Sequence, residues 1–368
     1  MSALATVTKR AGIEEEMPGD EVSTIPYDPA QVKVDYKPFP IFQVMRKIRL
    51  DEINLHPDFQ RRLVWDKTRQ SRLIESILIS IPLPAFYLDA VTVNQWAVVD
   101  GLQRLSTLDR FCNRNELRLQ NLEFLKELEG RTFEELPRVF QQQIEETHLN
   151  LYVIRPDVPD EVKFTIFYRI NTGGIVLTRQ EIRHCLFHGP ATELLKSLAD
   201  AQKFKIVTTN SIPTKHMDDR ECILRFCAFH LTPYTAYQAN NFDDFLAHAM
   251  RTINRMDEIQ LGVLRERFFE MLNKSRAVFG EYVFRKMYEV NGQRYPINKA
   301  LFETWSVALL EYSLNLLTER KSEIVREFVN VMNEDEAFNK AISQSTGSIK
   351  HVHLRFSVIE GLLAKVMQ

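Results

Sequence analysis

The chain lacks most of the features that would set it apart from ordinary soluble proteins, and each lack excludes something. It has almost no net charge, since 47 Lys and Arg stand against 49 Asp and Glu, giving −2 at pH 7. A global basic field of the kind carried by many nucleic-acid binders is absent, so any DNA contact needs a local basic face. Cysteine is scarce. The four thiols are Cys112, Cys185, Cys222 and Cys227, and Cys222 and Cys227 are five apart rather than three. No pair has zinc-finger spacing, and all four read as reduced thiols in predicted helices. No apolar run reaches the ~18 residues of a membrane span, and the N-terminus lacks the apolar core of a secretory signal. The expectation is a cytoplasmic protein with no membrane partner. No internal repeat and no low-complexity tract interrupts the chain.

What is present suffices for a large core. The chain has 368 residues, 45% of them hydrophobic and 26% charged, which suits two domains or one domain with a large appendage. Residues 1–35 are polar and broken by Pro18, Gly19, Pro26 and Pro29, and read as a disordered or extended leader. Residues 41–50 fit a short helix or a strand equally well. Residues 54–65 read as extended. From Asp66 to Ser80, Leu73, Ile74, Ile77, Leu78 and Ile81 form one helical face, which Pro82 and Pro84 terminate. Strands are predicted over 85–90, 95–99 and 149–155, and a helical, charged pattern over 111–143 with a loop near Gly130. Beyond Gly189 the pattern is almost wholly helical, with helices over 192–201, 219–231, 242–256, 261–279, 299–317, 322–332 and 352–366. The fold class is α+β: a mixed domain over 36–188, then an all-α domain over 189–368.

The turn at the centre of the mixed half is the most informative stretch. Ala97, Val98 and Val99 form a buried strand that Asp100-Gly101 breaks, and Leu105, Leu108 and Phe111 then recur at helical spacing. A strand turning directly into a helix leaves backbone N–H groups free at the helix start, which is a natural anion site. Arg104 lies in the first turn, where fixed positive charge is unfavourable unless an anion is held nearby. Gln103, Ser106 and Thr107 are hydrogen-bond groups within reach. The plainer alternative makes Asp100 an N-cap and Arg104 a solvated side chain. Gln60, Arg61 and Arg62 beside Phe59 suit either a grip on phosphate or nucleic-acid backbone, or a half-buried strand with solvated arginines. Asn171-Thr172-Gly173-Gly174 is either a helix–helix connector or a loop with amides exposed to phosphate. Thr178 and Glu181 have capping-box spacing and are accounted for structurally. Glu221 and Arg225 have the spacing of a surface pair on a helix. His351 and His353 have no nearby Cys, Asp or Glu and read as chance neighbours at a helix start.

The order of these motifs is more specific than any one of them. FQRRLVW, LIESILISIPLPAFYL, VVDGLQRLSTL and FYRINTGGIVLTRQEIRHCLF, in that succession, resemble the N-terminal domain family of GmrS-type proteins from modification-dependent restriction systems. The resemblance covers about residues 40–190. It implies a ParB/sulfiredoxin-like fold that binds a nucleoside triphosphate with Mg²⁺ and couples it to DNA restriction. Asp100, Gln103 and Arg104 would then be catalytic. Gly101, Ser106, Thr107, Gln60, Arg61, Asn171, Thr172, Gly173 and Gly174 would hold nucleotide, and Arg62 would face DNA. The family's central Asp-Gly-Gln-Gln-Arg reads Asp100-Gly101-Leu102-Gln103-Arg104 here, with leucine for the first glutamine. The helical half contains no cluster of His and Asn ligands of the kind a His-Asn-His nuclease needs. The implied partners are therefore DNA, a separate nuclease subunit and further copies of the chain. Two functional readings stand: a nucleotide-hydrolysing subunit, or a non-catalytic DNA- or protein-binding module switched by nucleotide.

Overall fold

The structure, a computed structural model, describes residues 12–14, 31–55, 65–92, 94–170, 178–238 and 241–368. The chain forms two compact units. One is Pro26–Leu177, and the other is built from Thr178–Gln368 with the described N-terminal residues 12–14.

The first unit is α+β. In chain order it contains β1 (Val34–Pro40), α1 (Ile41–Arg49), β2 (Ile53–Asn54), α2 (Lys67–Leu78), β3 (Phe86–Thr92) and β4 (Gln95–Asp100). There follow α3 (Leu102–Leu108), α4 (Arg138–Glu146), β5 (His148–Ile154) and α5 (Asp160–Ile170). The five strands make one sheet in the order β1-β5-β3-β4-β2. The β1–β5 and β3–β4 pairs are antiparallel, whereas β3–β5 and β2–β4 are parallel.

Strand alternation decides which face is buried. Leu149, Leu151 and Val153 of β5, with Phe86, Leu88 and Ala90 of β3, turn into the core beneath α1 to α4. The ambiguous stretch after Pro40 is helix α1, because Ile41, Val44, Met45 and Ile48 line up on one buried face. Its last turn carries Arg46, Lys47 and Arg49, which complement the helix dipole. Helix α2 starts where Asp66 accepts a hydrogen bond from the Arg69 amide at 2.7 Å.

The helical pattern expected over 111–143 is corrected by the structure. Only a π-helical turn (Asp109–Asn113), a short 3₁₀ turn (Lys126–Leu128) and α4 are regular there. Asn115, Asn121 and Gly130 all have positive φ, which breaks any continuous helix. The segment is held instead by Glu75 of α2, whose carboxylate accepts the amides of Glu123, Phe124 and Leu125 at 2.7–2.9 Å. Leu117, Leu119, Leu122 and Leu128 supply its buried anchors.

The second unit is helical: α6 (Arg179–Leu186), α7 (Pro190–Asp200), α8 (Gln202–Val207), α9 (Asp218–Leu231), α10 (Phe242–Asn254) and α11 (Glu258–Phe279). It continues as α12 (Lys299–Ala308), α13 (Leu314–Glu319), α14 (Lys321–Glu334), α15 (Glu336–Ala341) and α16 (Ile349–Val366). The capping box at the start of α6 is formed, with Thr178 and Glu181 bonded reciprocally. The helix expected over 299–317 is broken after Ala308 by a 3₁₀ turn, and Ser313 caps its second half. Helices α8 and α15 are too short for periodicity to reveal. Part of the N-terminal leader is ordered against this unit. Ile13 is 2% exposed, its neighbours bond to the Ile297 backbone, and Glu14 pairs with Lys286 at 2.7 Å. No helix among the described residues is long and apolar enough to cross a membrane.

Candidate functional site

Strand β4 delivers Asp100 to a turn that only glycine fits. Gly101 has φ +94° and ψ 9° and serves as the N-cap of α3. A Cβ there would lie 2.4 Å from Phe86 Cδ1, so conformation and space both exclude a side chain. The Gly101 carbonyl accepts the Leu105 amide at 2.9 Å and opens the helix, which leaves the first-turn amides from Leu102 to Arg104 outside its ladder. The chain runs on past Leu108 into the π-helical turn Asp109–Asn113.

Arg104 is not a solvated side chain. Its guanidinium donates to Asp100 Oδ2 at 2.9 Å, to the Ala85 carbonyl at 3.1 Å and to the Pro84 carbonyl, and lies 4.3 Å above the Phe86 ring. Burial pulls its pKa below the ordinary arginine value, and the Asp100 carboxylate works in the opposite direction. These bonds lock the start of β3 to the turn after β4. Asp100 remains 39% exposed, with one carboxylate oxygen engaged by Arg104.

Gln103 Oε1 lies 3.5 Å from the amide of Trp65, the last residue of the FQRRLVW motif. That motif therefore ends beside the central turn. Ser106 is half-buried on α3. Thr107 is fully buried, and its hydroxyl donates to the Gln103 carbonyl at 2.7 Å. Gln60, Arg61, Arg62, Asn171, Thr172, Gly173 and Gly174 lie outside the described residues.

Two features escaped sequence reasoning. Lys163 of α5 and Asp89 of β3 form a buried ion pair at 2.7 Å. Burial raises the Asp89 pKa above the ordinary carboxylate value, against the opposing pull of Lys163. The pair pins α5 to the central strand, and α5 ends at Ile170, one residue before the Asn-Thr-Gly-Gly motif. The signal was an aspartate inside an apolar strand, AFYLDA. The second feature is a row of tyrosines, Tyr36, Tyr152 and Tyr87, on neighbouring strands. Separately, Lys67, Arg118, Glu116, Glu134 and Glu135 help to line a polar groove of about 330 Å³, which includes none of the predicted residues.

The donor set limits any metal. Among the described residues no group of three or more His, Cys, Asp or Glu side chains could hold a metal ion. A single half-exposed carboxylate does not build a cage. It does fit Mg²⁺ carried in on nucleotide phosphates, where a protein supplies only one or two carboxylates.

In the second unit Glu221 and Arg225 are a buried pair at 2.7 Å rather than a surface one. Burial would raise the Glu221 pKa, but Lys299, Arg225 and Arg183 together hold it far below the ordinary range. His351 and His353 bond through ring nitrogens to the Gln344 and Tyr237 carbonyls, at 2.9 and 3.2 Å.

A mixed sheet in which β4, next to the central strand, turns on Asp-Gly into a helix defines an α+β domain with a preorganised strand-to-helix turn. Residues 41–188 match the family model described as GmrSD restriction endonuclease, N-terminal domain. This part of the chain is similar to that domain, and restriction is the activity the family is named for. Comparison with curated proteins and with solved structures finds no significant match.

Proposed function

We propose that the first unit binds a nucleoside triphosphate as its Mg²⁺ complex at the turn between β4 and α3, hydrolyses it, and couples the cycle to DNA restriction. The observation that carries this reading is the left-handed Gly101 at the start of α3, beside the half-exposed carboxylate of Asp100. Amides in this arrangement suit phosphate oxygens. Asp100 would orient metal or water, Gln103 would contact phosphate, and Arg104 would fix Asp100 in place. The Asn171–Gly174 segment and Gln60–Arg61 would complete the phosphate site, and Arg62 would face DNA. Mg²⁺, when bound, would neutralise phosphate charge. At the finer level we read the fold as ParB/sulfiredoxin-like, and the five-stranded mixed sheet supports its α+β class. Cutting is assigned to a separate nuclease subunit, a reading supported by the lack, among the described residues, of any group of three or more His, Cys, Asp or Glu that could hold a metal ion. A homo-oligomer remains compatible with this division of labour.

Leu102 favours a second reading, in which nucleotide binding switches a non-catalytic DNA- or protein-binding module. An apolar side chain at the first helical position cannot orient an attacking water.

Steady-state hydrolysis measured beside equilibrium binding separates the two. Asp100→Asn keeps a hydrogen-bond acceptor for Arg104. It should change nucleotide affinity by less than about tenfold and lower turnover by roughly 100-fold or more. Leu102→Gln should leave affinity unchanged and raise turnover. Nucleotide binding with no turnover in either wild type or Leu102→Gln would establish the switch instead. A wild-type chain that binds no nucleoside triphosphate would overturn both.

A further inference from the structure

The sheet face opposite the core carries an aromatic row that leads to the Asp100 turn. Tyr36, Tyr152 and Tyr87 stand in register on β1, β5 and β3. Ring centroids are 5.4 Å apart for Tyr36–Tyr152 and 5.3 Å for Tyr87–Tyr152, the latter nearly parallel at 17°. Tyr36 OH donates to Asn150 Oδ1 at 2.8 Å, which steadies the outer end of the row. On the next strand the partner of Tyr87 is Asp100 itself. The row therefore runs from the sheet edge to the turn proposed to hold phosphate.

Cross-strand aromatic pairs stabilise sheets by themselves, by about 0.2–1 kcal/mol each. That role does not require them to be open to solvent. Here Tyr36 is 55% exposed, while Tyr87 and Tyr152 are only half-buried. Charge decides which flat ligand fits. Among the described residues, Lys37 lies over Trp96, Arg155 is held by Asp35, Lys163 by Asp89 and Arg104 by Asp100. A nucleic-acid strand needs cations for its phosphates. A single uncharged base needs only an aromatic plane.

We infer that Tyr87, backed by Tyr152 and Tyr36, is the stacking surface for the nucleobase of the nucleotide held at the turn between β4 and α3. The inference rests on the nucleotide reading and adds the base to it. Stacking on a π face tolerates any base, so it predicts weak discrimination among nucleoside triphosphates.

The test is calorimetric titration of the full chain with Mg²⁺–nucleoside triphosphates and with inorganic triphosphate. Wild type is compared with Tyr87→Leu, which keeps apolar bulk, and with Tyr87→Phe, which keeps the ring. Tyr87→Leu should weaken nucleotide binding by about 5- to 100-fold and leave inorganic triphosphate unchanged, and Tyr87→Phe should bind nucleotide like wild type. Nucleotide affinity that survives Tyr87→Leu, or an equal loss for both ligands, overturns the stacking role while leaving the phosphate site standing. Loss of single-stranded oligonucleotide binding without loss of nucleotide binding also overturns it, in favour of a nucleic-acid surface. A wild type that binds inorganic triphosphate but no tighter to nucleotides removes the base from the site. No binding of either ligand by wild type removes the nucleotide reading itself, and the stacking role with it.

Discussion

At the scale of single residues, Gly101 and Arg104 divide the labour of the turn. Gly101 supplies a backbone conformation that L side chains rarely adopt, and Arg104 ties the turn to the beginning of β3. Gly101→Ala would place Cβ against the Phe86 ring in a left-handed conformation. Backbone strain and overpacking together should cost about 3 kcal/mol or more, read as a lower urea midpoint with an unchanged m-value. The Asp-Gly turn and its helix were legible in the sequence, because apolar spacing changes from strand to helix around one glycine. The partners of Arg104 were not. Two are carbonyls of Pro84 and Ala85, about twenty residues earlier, and only the pairing of β3 with β4 brings them near. The same holds for Lys163–Asp89 and for the tyrosine row, whose members belong to strands far apart in the chain.

At the scale of elements, α2 does more than bury an apolar face. Glu75 looks inward and gathers the amides of Glu123, Phe124 and Leu125, organising a stretch whose charged periodicity resembles a helix. The helix expected over 66–80 was readable from its apolar stripe. The stretch after Asn113 was not, because its conformation depends on that carboxylate and on positive φ at Asn115 and Asn121. Burial works to raise the Glu75 pKa, but the three amide bonds prevail and hold it below the ordinary value. A carboxylate lowered in the folded state contributes stability that is fully present above its unfolded pKa, ~4.3. That contribution is lost as pH falls through the folded value. Glu75→Gln should therefore cost about 2 kcal/mol at pH 7, as hydrogen bonds to a charged group are weakened. The gap between wild type and variant should shrink steadily below about pH 4. Chemical denaturation across pH 3–7 reads this directly, and a gap that stays constant with pH would assign the cost to packing.

At the scale of the whole molecule, the two units differ in how they handle polarity. The first leaves the tyrosines of one sheet face partly exposed and holds Asp100, Gly101 and Arg104 at one turn. The second buries charge deeply: Arg183, Arg220, Arg225, Arg355 and Glu303 are each no more than 2% exposed. Arg355 pairs with Glu303, and Arg183 bonds to Asp243. Most helices of this unit were readable from periodicity, and the charge network was not. Spacing of four along α9 suggests a surface pair, whereas Glu221 and Arg225 face Lys299 and Glu303 from α12. The central claim concerns the first unit alone, namely that the amides opening α3 hold phosphate. Amide hydrogen exchange of Leu102, Gln103 and Arg104, with and without saturating Mg²⁺–nucleoside triphosphate, tests it most directly. Slower exchange at these amides on adding nucleotide is the predicted result, since a bound phosphate would accept hydrogen bonds from them. Unchanged exchange at these amides would contradict the account, whatever slows elsewhere.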